Sequence, residues 1–408
     1  MKIALVTTFF PPANGVAVNR MHAFARYLAE KHEVVVVTLG KHDALVPADC
    51  CKNFTTCYVR NHRVMEYLRH HPADTRLIHH GKSAVNLVMA RLQLSRFAMW
   101  RRRALRQLKQ LHCQHPFDAI VSSYMPVDTH LLVLEFLKSY AGVIWIADMR
   151  DEMSRNPHIS RCEQQRLRRV ELAIDQHAMA VTSVSQPILD DFRKLMPNVL
   201  RFEQIRNGYD HDYSPPLRPF NTRFCIGYFG SFYGNRKPHT FFLALEQLCD
   251  EIDMEIHIAT QSVNFDVPPA LIRRVHLHGF LSYQQSVEMM ATMDANLLIL
   301  PKLPEFKGVF SGKIFDYISV YRPVLAVVDP DDVAADLVRE LGCGYVADVD
   351  EVEQIKSMLR QAHADWLQGQ IKHGSPAQVR QLHRRVQVQK LSALLCSLHD
   401  DASSGKPA

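Results

Sequence analysis

The chain has 408 residues, enough for two domains that each bury a core of their own. No run of about 18 apolar residues occurs, which argues against a membrane-spanning helix, and residues 1–6 are too short for the apolar region of a secretory signal. The nine cysteines form no C-x-x-C, and no His/Cys group has ligand spacing. The expectation is a reduced cytosolic chain with buried thiols and no metal. The formal net charge of +6 is mild but unevenly spread. Between Arg60 and Lys109, twelve Lys/Arg stand against only Glu66 and Asp74, beside the pairs His70-His71 and His79-His80. Such an excess favours an acidic partner: lipid headgroups, nucleic acid or a phosphorylated substrate.

Residues 3–6 read as a first strand. A loop follows, ending in Pro11-Pro12-Ala13-Asn14-Gly15. Met21, Phe24, Ala25 and Leu28 then recur at the spacing of an amphipathic helix. Residues 34–37 are a β-branched run, as expected of a strand covered on both faces, and they complete a right-handed βαβ unit. Cys50, Cys51 and Cys57 are expected in a loop. Residues 79–110 read as mostly helical, with Leu87, Val88, Leu92, Leu94, Phe97 and Trp100 as apolar anchors. Further strands are expected at 119–121, 143–146 and 180–184.

Asn207-Gly208-Tyr209-Asp210 and then Ser214-Pro215-Pro216 break the composition and mark a domain boundary. A second series of strands follows at 225–229, 255–258, 275–277, 295–300 and 324–328, with helices such as 240–249 and 286–293 between them. Met289, Met290 and Met293 are expected in the core. His276 and His278 share one face of a strand and are expected to pack there. The fold class is therefore α/β, with two Rossmann-like, doubly wound parallel sheets. One covers residues 1–200 and the other 205–375. Ligands of such sheets bind at the carboxyl ends of the strands, and the cleft between two such domains is the default site. Residues 376–400 form a long Arg-rich amphipathic segment, and 401–408 read as a disordered tail.

Several loops at strand ends carry chemistry. Asn14 and Gly15 open a helix, with Arg20 inside it, and Gly15 lets the backbone approach a ligand. Asp148, Arg150 and Asp151 follow the strand at 143–146, where carboxylates can bind acceptor hydroxyls or serve as a base. An Asp–Arg pair that ties down the loop is the plainer alternative. Gly230 and Ser231, followed by Arg236 and Lys237, suit a diphosphate: Arg grips oxygens bidentately and Lys supplies a point charge. Gly279 adds a second close-approach loop. In the stretch 308–323, Ser311, Gly312 and Lys313 open a helix whose N–H groups can hold a phosphate. Asp316 stands one turn on, placed to accept hydrogen bonds from ribose hydroxyls. A solvated helix cap and a solvated basic turn remain open for these loops.

The ordered set resembles the family-4 retaining glycosyltransferases of the GT-B fold, in which two Rossmann-like domains face each other across a cleft. It comprises the Pro-Pro-x-x-Gly loop with Arg20, Asp148-x-Arg150-Asp151, Val184-Ser185, Asn207 to Asp210, Gly230 to Tyr233 with Arg236, Gly279, and Ser311 to Tyr317. It is similar to the branch that builds bacterial surface polysaccharides, including amino-sugar and fucosamine transferases. The resemblance implies a nucleoside-diphosphate sugar as donor, held by Arg236, Lys237, Gly312, Lys313 and Asp316. It also implies Gly15 on the acceptor side, no obligatory metal or other cofactor, and a final helix crossing back onto the N-terminal domain. A glycan or polyprenyl-linked acceptor and an anionic membrane surface at 60–109 would be the partners, on the cytoplasmic side, with no nucleic acid. Two positions depart from the family pattern. Gly308 stands where the first of two glutamates is usual, with Glu305 out of register, and Asp316 replaces the second. Ser122 to Met125 stand where a histidine is usual, and His130 lies further along. A nucleotide-sugar epimerase and a non-catalytic nucleotide-sugar-binding partner are the alternatives.

Overall fold

The computed structural model describes residues 1–47, 54–68, 75–91, 95–212, 221–232, 238–302 and 307–404, without the side chains of Leu87, Ala90 and Arg91. Arg236 and Lys237, and with them Tyr233, Cys50, Cys51, His70, His71, Asp74, Leu92, Leu94, Ser214 to Pro216 and Glu305, lie outside the described residues. The chain divides into two compact units, Met1–Arg206 with Gln387–Ala408, and Asn207–Val386. The second begins at the Asn-Gly break. The C-terminal segment is shared out differently from the expectation. Val379 and Leu382 join a core of the second unit, whereas Val388, Leu391, Leu395 and Leu398 join a core of the first. The helix Arg384–Ser403 also runs past Asp400, where disorder was expected.

The first unit holds strands β1 (Lys2–Val6), β2 (Glu33–Gly40), β3 (Ala44–Pro47), β4 (Phe54–Arg60), β5 (Ala119–Tyr124), β6 (Ile144–Met149), β7 (Ala180–Ser183) and β8 (Arg201–Gln204). They form one sheet in the order β3-β4-β2-β1-β5-β6-β7-β8. All its pairings are parallel except the hairpin-like β3·β4 pair. Cys57, expected in a loop, lies buried within β4. The helix Val16–Leu28 buries Met21, Phe24, Ala25 and Leu28, the residues its period selects. Trp100 of the helix Ala98–Gln114 is fully buried, whereas Val88 is 53% exposed and anchors nothing.

The second unit holds β9 (Phe224–Phe229), β10 (Met254–Ala259), β11 (Val275–Leu277), β12 (Ala295–Ile299), β13 (Val324–Val328) and β14 (Gly344–Asp348). The order β11-β10-β9-β12-β13-β14 is all parallel. Renumbered within the unit this is 3-2-1-4-5-6, the Rossmann order, with its switch point between β9 and β12. Apolar clusters cover both faces, which is why these strands read as near-continuous apolar runs. Met290 and Met293 are buried in one of these clusters, with Met289 partly buried against it.

Candidate functional site

In the second unit the carboxyl end of β9 meets the start of the helix Gly312–Ser319. The helix is anchored there: the Phe229 N–H donates to the Tyr317 hydroxyl at 3.0 Å, and Ile314, Phe315, Tyr317 and Ile318 are buried. It ends where Tyr321 takes a left-handed φ of 55° just before Arg322-Pro323. At the other end, Ser311 is the N-cap residue but its side chain makes no capping bond. The orphan N–H groups of the first turn therefore gain nothing from that hydroxyl.

Lys313 points back across the strand end. Its Nζ donates to the Tyr228 hydroxyl at 2.8 Å and lies 4.0 Å from the Tyr228 ring centroid. Tyr228 is itself stacked on Phe232 at 4.0 Å and its hydroxyl donates to the Ser231 carbonyl at 3.3 Å. Gly230 makes this possible. It adopts φ +117°, and a Cβ there would lie 2.5 Å from Lys313 Cε and 2.9 Å from Nζ. Gly230, Ser231 and Lys313 are thus brought together, with Gly312 and Ser311 adjoining.

Asp316 stands three residues on, about 4.5 Å further along the same helix face. The Tyr283 hydroxyl donates to its Oδ1 at 2.8 Å. Burial pushes the Asp316 carboxyl up to about 6; Arg384 and the Tyr283 bond oppose that shift, and Asp210 adds to it. Arg384 pairs with Asp210 at 3.7 Å. Gly279, at φ +70°, lies in the exposed loop that leads to the Ser282 capping box and so to Tyr283. The Gly308 N–H, where the resemblance has a glutamate, donates to Asp332 Oδ1 at 2.8 Å.

In the first unit Arg20 and Asp148 form a buried pair. Arg20 Nε and Nη2 donate to the two Asp148 oxygens at 3.1 and 2.6 Å. The Thr182 and Ser123 hydroxyls donate to the same carboxylate at 2.8 and 2.9 Å, and Arg20 Nη1 reaches the Ile205 carbonyl at 2.7 Å. Asp148 is 0% exposed and Arg20 2%. Burial alone would raise the Asp148 carboxyl, but Arg20 and these donors hold it below its usual range. Asp148 lies inside β6, not in the loop after it. The geometry gives Arg20 and Asp148 the role of an internal clamp, so neither is placed to touch substrate.

Arg150 and Asp151 lie beyond the strand and are half-buried. Arg150 Nε donates to the Tyr124 carbonyl at 2.7 Å, and its guanidinium lies 5.4 Å from the Phe9 ring centroid. Burial raises the Asp151 carboxyl, and Arg150 partly offsets this. Asn14 and Gly15 are exposed at a helix start, with Gly15 at φ +137°. His130 is buried on the helix Asp128–Leu137, with Nδ1 at 2.8 Å from Ser122 Oγ. Desolvation lowers its pKa to about 3, so the ring is neutral at pH 7. Tyr228, Tyr283 and Arg384 were not foreseen; nothing in their spacing links them to Lys313 or Asp316.

The fold is shared with solved GT-B glycosyltransferases. Sucrose-phosphate synthase from Thermosynechococcus elongatus superposes with a TM-score of 0.67 at 14% identity, over 97% of this chain and 98% of that one. HepE from Anabaena, solved with UDP and glucose, gives 0.60 at 16% identity, over 97% and 100%. The lipopolysaccharide outer core galactosyltransferase WaaB gives 0.62 at 13% identity, over 97% and 99%. At these identities the likeness is one of fold. No family model matches the sequence, and no curated protein matches it significantly.

Asp148→Ala leaves Arg20 buried without its counter-charge and lowers unfolding free energy by about 3–5 kcal/mol, read by urea denaturation; a loss under about 1 kcal/mol contradicts the clamp. Asp316→Asn removes a carboxylate whose charged form is disfavoured by burial. Above pH 6 the variant is therefore more stable than the parent, by on the order of 1–2 kcal/mol. That advantage fades as pH falls from 6, where the parent's folded carboxyl begins to take up its proton, toward 3.8, where the unfolded chain is protonated too. Thermal melts across pH 4–8 check this, and an advantage that stays constant with pH contradicts it.

Proposed function

We propose that the protein is a glycosyltransferase that moves a sugar from a nucleoside-diphosphate sugar onto a glycan or polyprenyl-linked acceptor, with retention of configuration and without an obligatory metal. The observation that carries this reading is the Lys313–Tyr228–Gly230 arrangement at the switch point of a Rossmann sheet. It puts an ammonium and a helix start at the strand ends where such sheets bind ligands. Asp316, one turn on, offers a carboxylate at a spacing that suits the ribose next to a bound diphosphate. The solved relatives in fold include a complex with UDP and glucose, another with UDP-glucose, and a third bound with UDP-2-fluoro glucose.

Departure of the sugar builds negative charge on the diphosphate. A fixed ammonium and helix N–H groups lower that barrier because they need no reorganisation as the charge develops. The sequence also offers Arg236 and Lys237 for the diphosphate; both lie outside the described residues. In the first unit, Asn14, Gly15, Arg150 and the half-buried Asp151 are the remaining acceptor-side candidates. A carboxylate made more basic by burial is suited to take a proton from an acceptor hydroxyl.

We assign the reaction to bacterial envelope or exopolysaccharide synthesis, at the cytoplasmic face of a membrane. One feature supports the membrane surface: the helix Arg76–Arg91 exposes Leu77, Ile78, Val85 and Val88 within the Lys/Arg-rich segment. Among the described residues no helix is long and apolar enough to cross a membrane. Some of that segment's charge is used internally, since Arg101 pairs with Asp128 and Lys82 packs on Tyr67.

Lys313→Ala weakens binding of UDP or GDP, whichever the parent binds, by about 1.5–3 kcal/mol in calorimetry. Unchanged affinity in the folded variant refutes the site. Asp151→Asn lowers turnover while leaving donor affinity intact; parental turnover removes it from the acceptor side. Incubation with donor alone separates the epimerase reading, which yields an epimerised nucleotide sugar. Turnover absent on every acceptor despite intact nucleotide binding favours the non-catalytic partner. Co-sedimentation with vesicles tests the membrane assignment. Binding should require anionic lipid and fall when Leu77 and Val85 are both changed to Asp; equal binding to neutral vesicles contradicts it.

A further inference from the structure

At the β11 edge of the second sheet, toward the amino ends of the strands, a polar cluster interrupts an otherwise apolar face. Glu255 and His257 alternate along β10, so both side chains leave the sheet on one side. Register places Cys225 of β9 opposite Glu255, and His276 of β11 opposite His257. Cys225 Sγ, a Glu255 oxygen and a His257 ring nitrogen lie within 4.8 Å of one another. His257 Nε2 and His276 Nε2 each stand 3.7 Å from Glu255 Oε2. The two imidazoles stack at 4.9 Å.

The surroundings fix this arrangement. Arg223 holds the other carboxylate oxygen, Glu255 Oε1, at 3.0 Å, which turns Oε2 toward the rings. His257 Nδ1 is 3.0 Å from His278 Nε2. When Nδ1 carries the proton and donates it there, the Nε2 lone pair faces the carboxylate. Metal-ligating histidines are held in this way, with the second ring nitrogen bonded to an outer acceptor. Both Nε2 atoms, of His257 and His276, are shielded from solvent, and neither comes closer to Glu255 Oε2 than 3.7 Å, too far for a well-formed hydrogen bond. Two buried ring nitrogens converging on one carboxylate oxygen are costly unless something bridges them. A tetrahedral zinc with bonds of about 2.0–2.2 Å sets its N and O ligands roughly 3.4 Å apart. The 3.7 Å spacings to Glu255 Oε2 need to contract by only a few tenths of an ångström, whereas His276, outside the group that Cys225, Glu255 and His257 form within 4.8 Å, swings in from the edge strand to complete the set.

We propose that Glu255, His257 and His276, with Cys225 as fourth ligand, bind a divalent zinc ion that ties the edge strand β11 to β10 and β9. Zinc binding releases the Cys225 thiol proton to solvent and replaces that thiol's bond to the Arg223 carbonyl at 3.5 Å; the resulting set of two imidazoles, a carboxylate and a thiolate is one that zinc accepts. His276 is 42% exposed at its side chain, which leaves a path for the ion. The cluster lies at the opposite end of the strands from Gly230, so its role is to hold the sheet edge and not to act in sugar transfer.

The test uses tag-free full-length protein, stripped with chelator and titrated with zinc chloride at pH 7.5 by calorimetry. The expected result is one zinc per chain. Affinity should fall more than about tenfold in the His257→Gln/His276→Gln double variant, and zinc should raise the melting temperature of the parent alone. If the double variant does not fold, Glu255→Gln, which keeps its shape but loses the charge, reads the same loss. A parent that takes up no stoichiometric zinc overturns the proposal. So does a folded variant that binds zinc as tightly as the parent.

Discussion

A lysine at a helix start can serve a diphosphate only if its stem has room to lie across the neighbouring strand end. In the second unit that room is the missing side chain of Gly230. The φ of +117° at this position demands glycine, and a Cβ there would lie 2.5 Å from Lys313 Cε and displace the lysine stem from its present course. The Tyr228 hydroxyl, 85 positions from Lys313 in sequence, then fixes where the ammonium stops. The position of the positive charge follows from the sheet order, because β9 and β12 flank the switch point and the helix Gly312–Ser319 follows the loop after β12. Preorganisation of this kind is what makes a fixed charge effective as negative charge develops.

The first unit uses charge differently. Arg20 and Asp148 satisfy each other inside the protein, with Thr182, Ser123 and the Ile205 carbonyl taking the remaining bonds. Such a pair is a weak source of net stability but costly to break on one side. It ties the first helix to the middle of the sheet and to the end of β8, which positions the loops carrying Asn14, Gly15, Arg150 and Asp151. A residue pattern that looks catalytic in sequence can therefore be architectural, because an Asp at the end of an apolar run is equally suited to either role.

The central parallel strands were legible because strands covered on both faces leave continuous apolar runs, as at 34–37 and 324–328. The strands β3, β4, β8 and β14 were not. Phe54–Arg60 mixes Thr and Tyr into its alternation, Arg201–Gln204 is a polar edge, and Gly344–Asp348 begins and ends in turn-forming residues. The Gly230 and Lys313 loops were legible as glycine and lysine at the right ends of strands. Their contact through Tyr228 was not, since it depends on which strands become neighbours. The same holds for the histidine cluster. His276-x-His278 alone indicates packing, and only the pairing of β9, β10 and β11 brings Cys225 and Glu255 beside it.

The central claim is that the end of β9 and the start of the helix Gly312–Ser319 together hold the donor's diphosphate. A crystal structure of the protein soaked with UDP or GDP tests it most directly. The account predicts phosphate oxygens within hydrogen-bond distance of Lys313 Nζ and the first-turn N–H groups, with the ribose facing Asp316. A nucleotide bound elsewhere on the chain, with Lys313 still resting on Tyr228 and touching no phosphate, would contradict it.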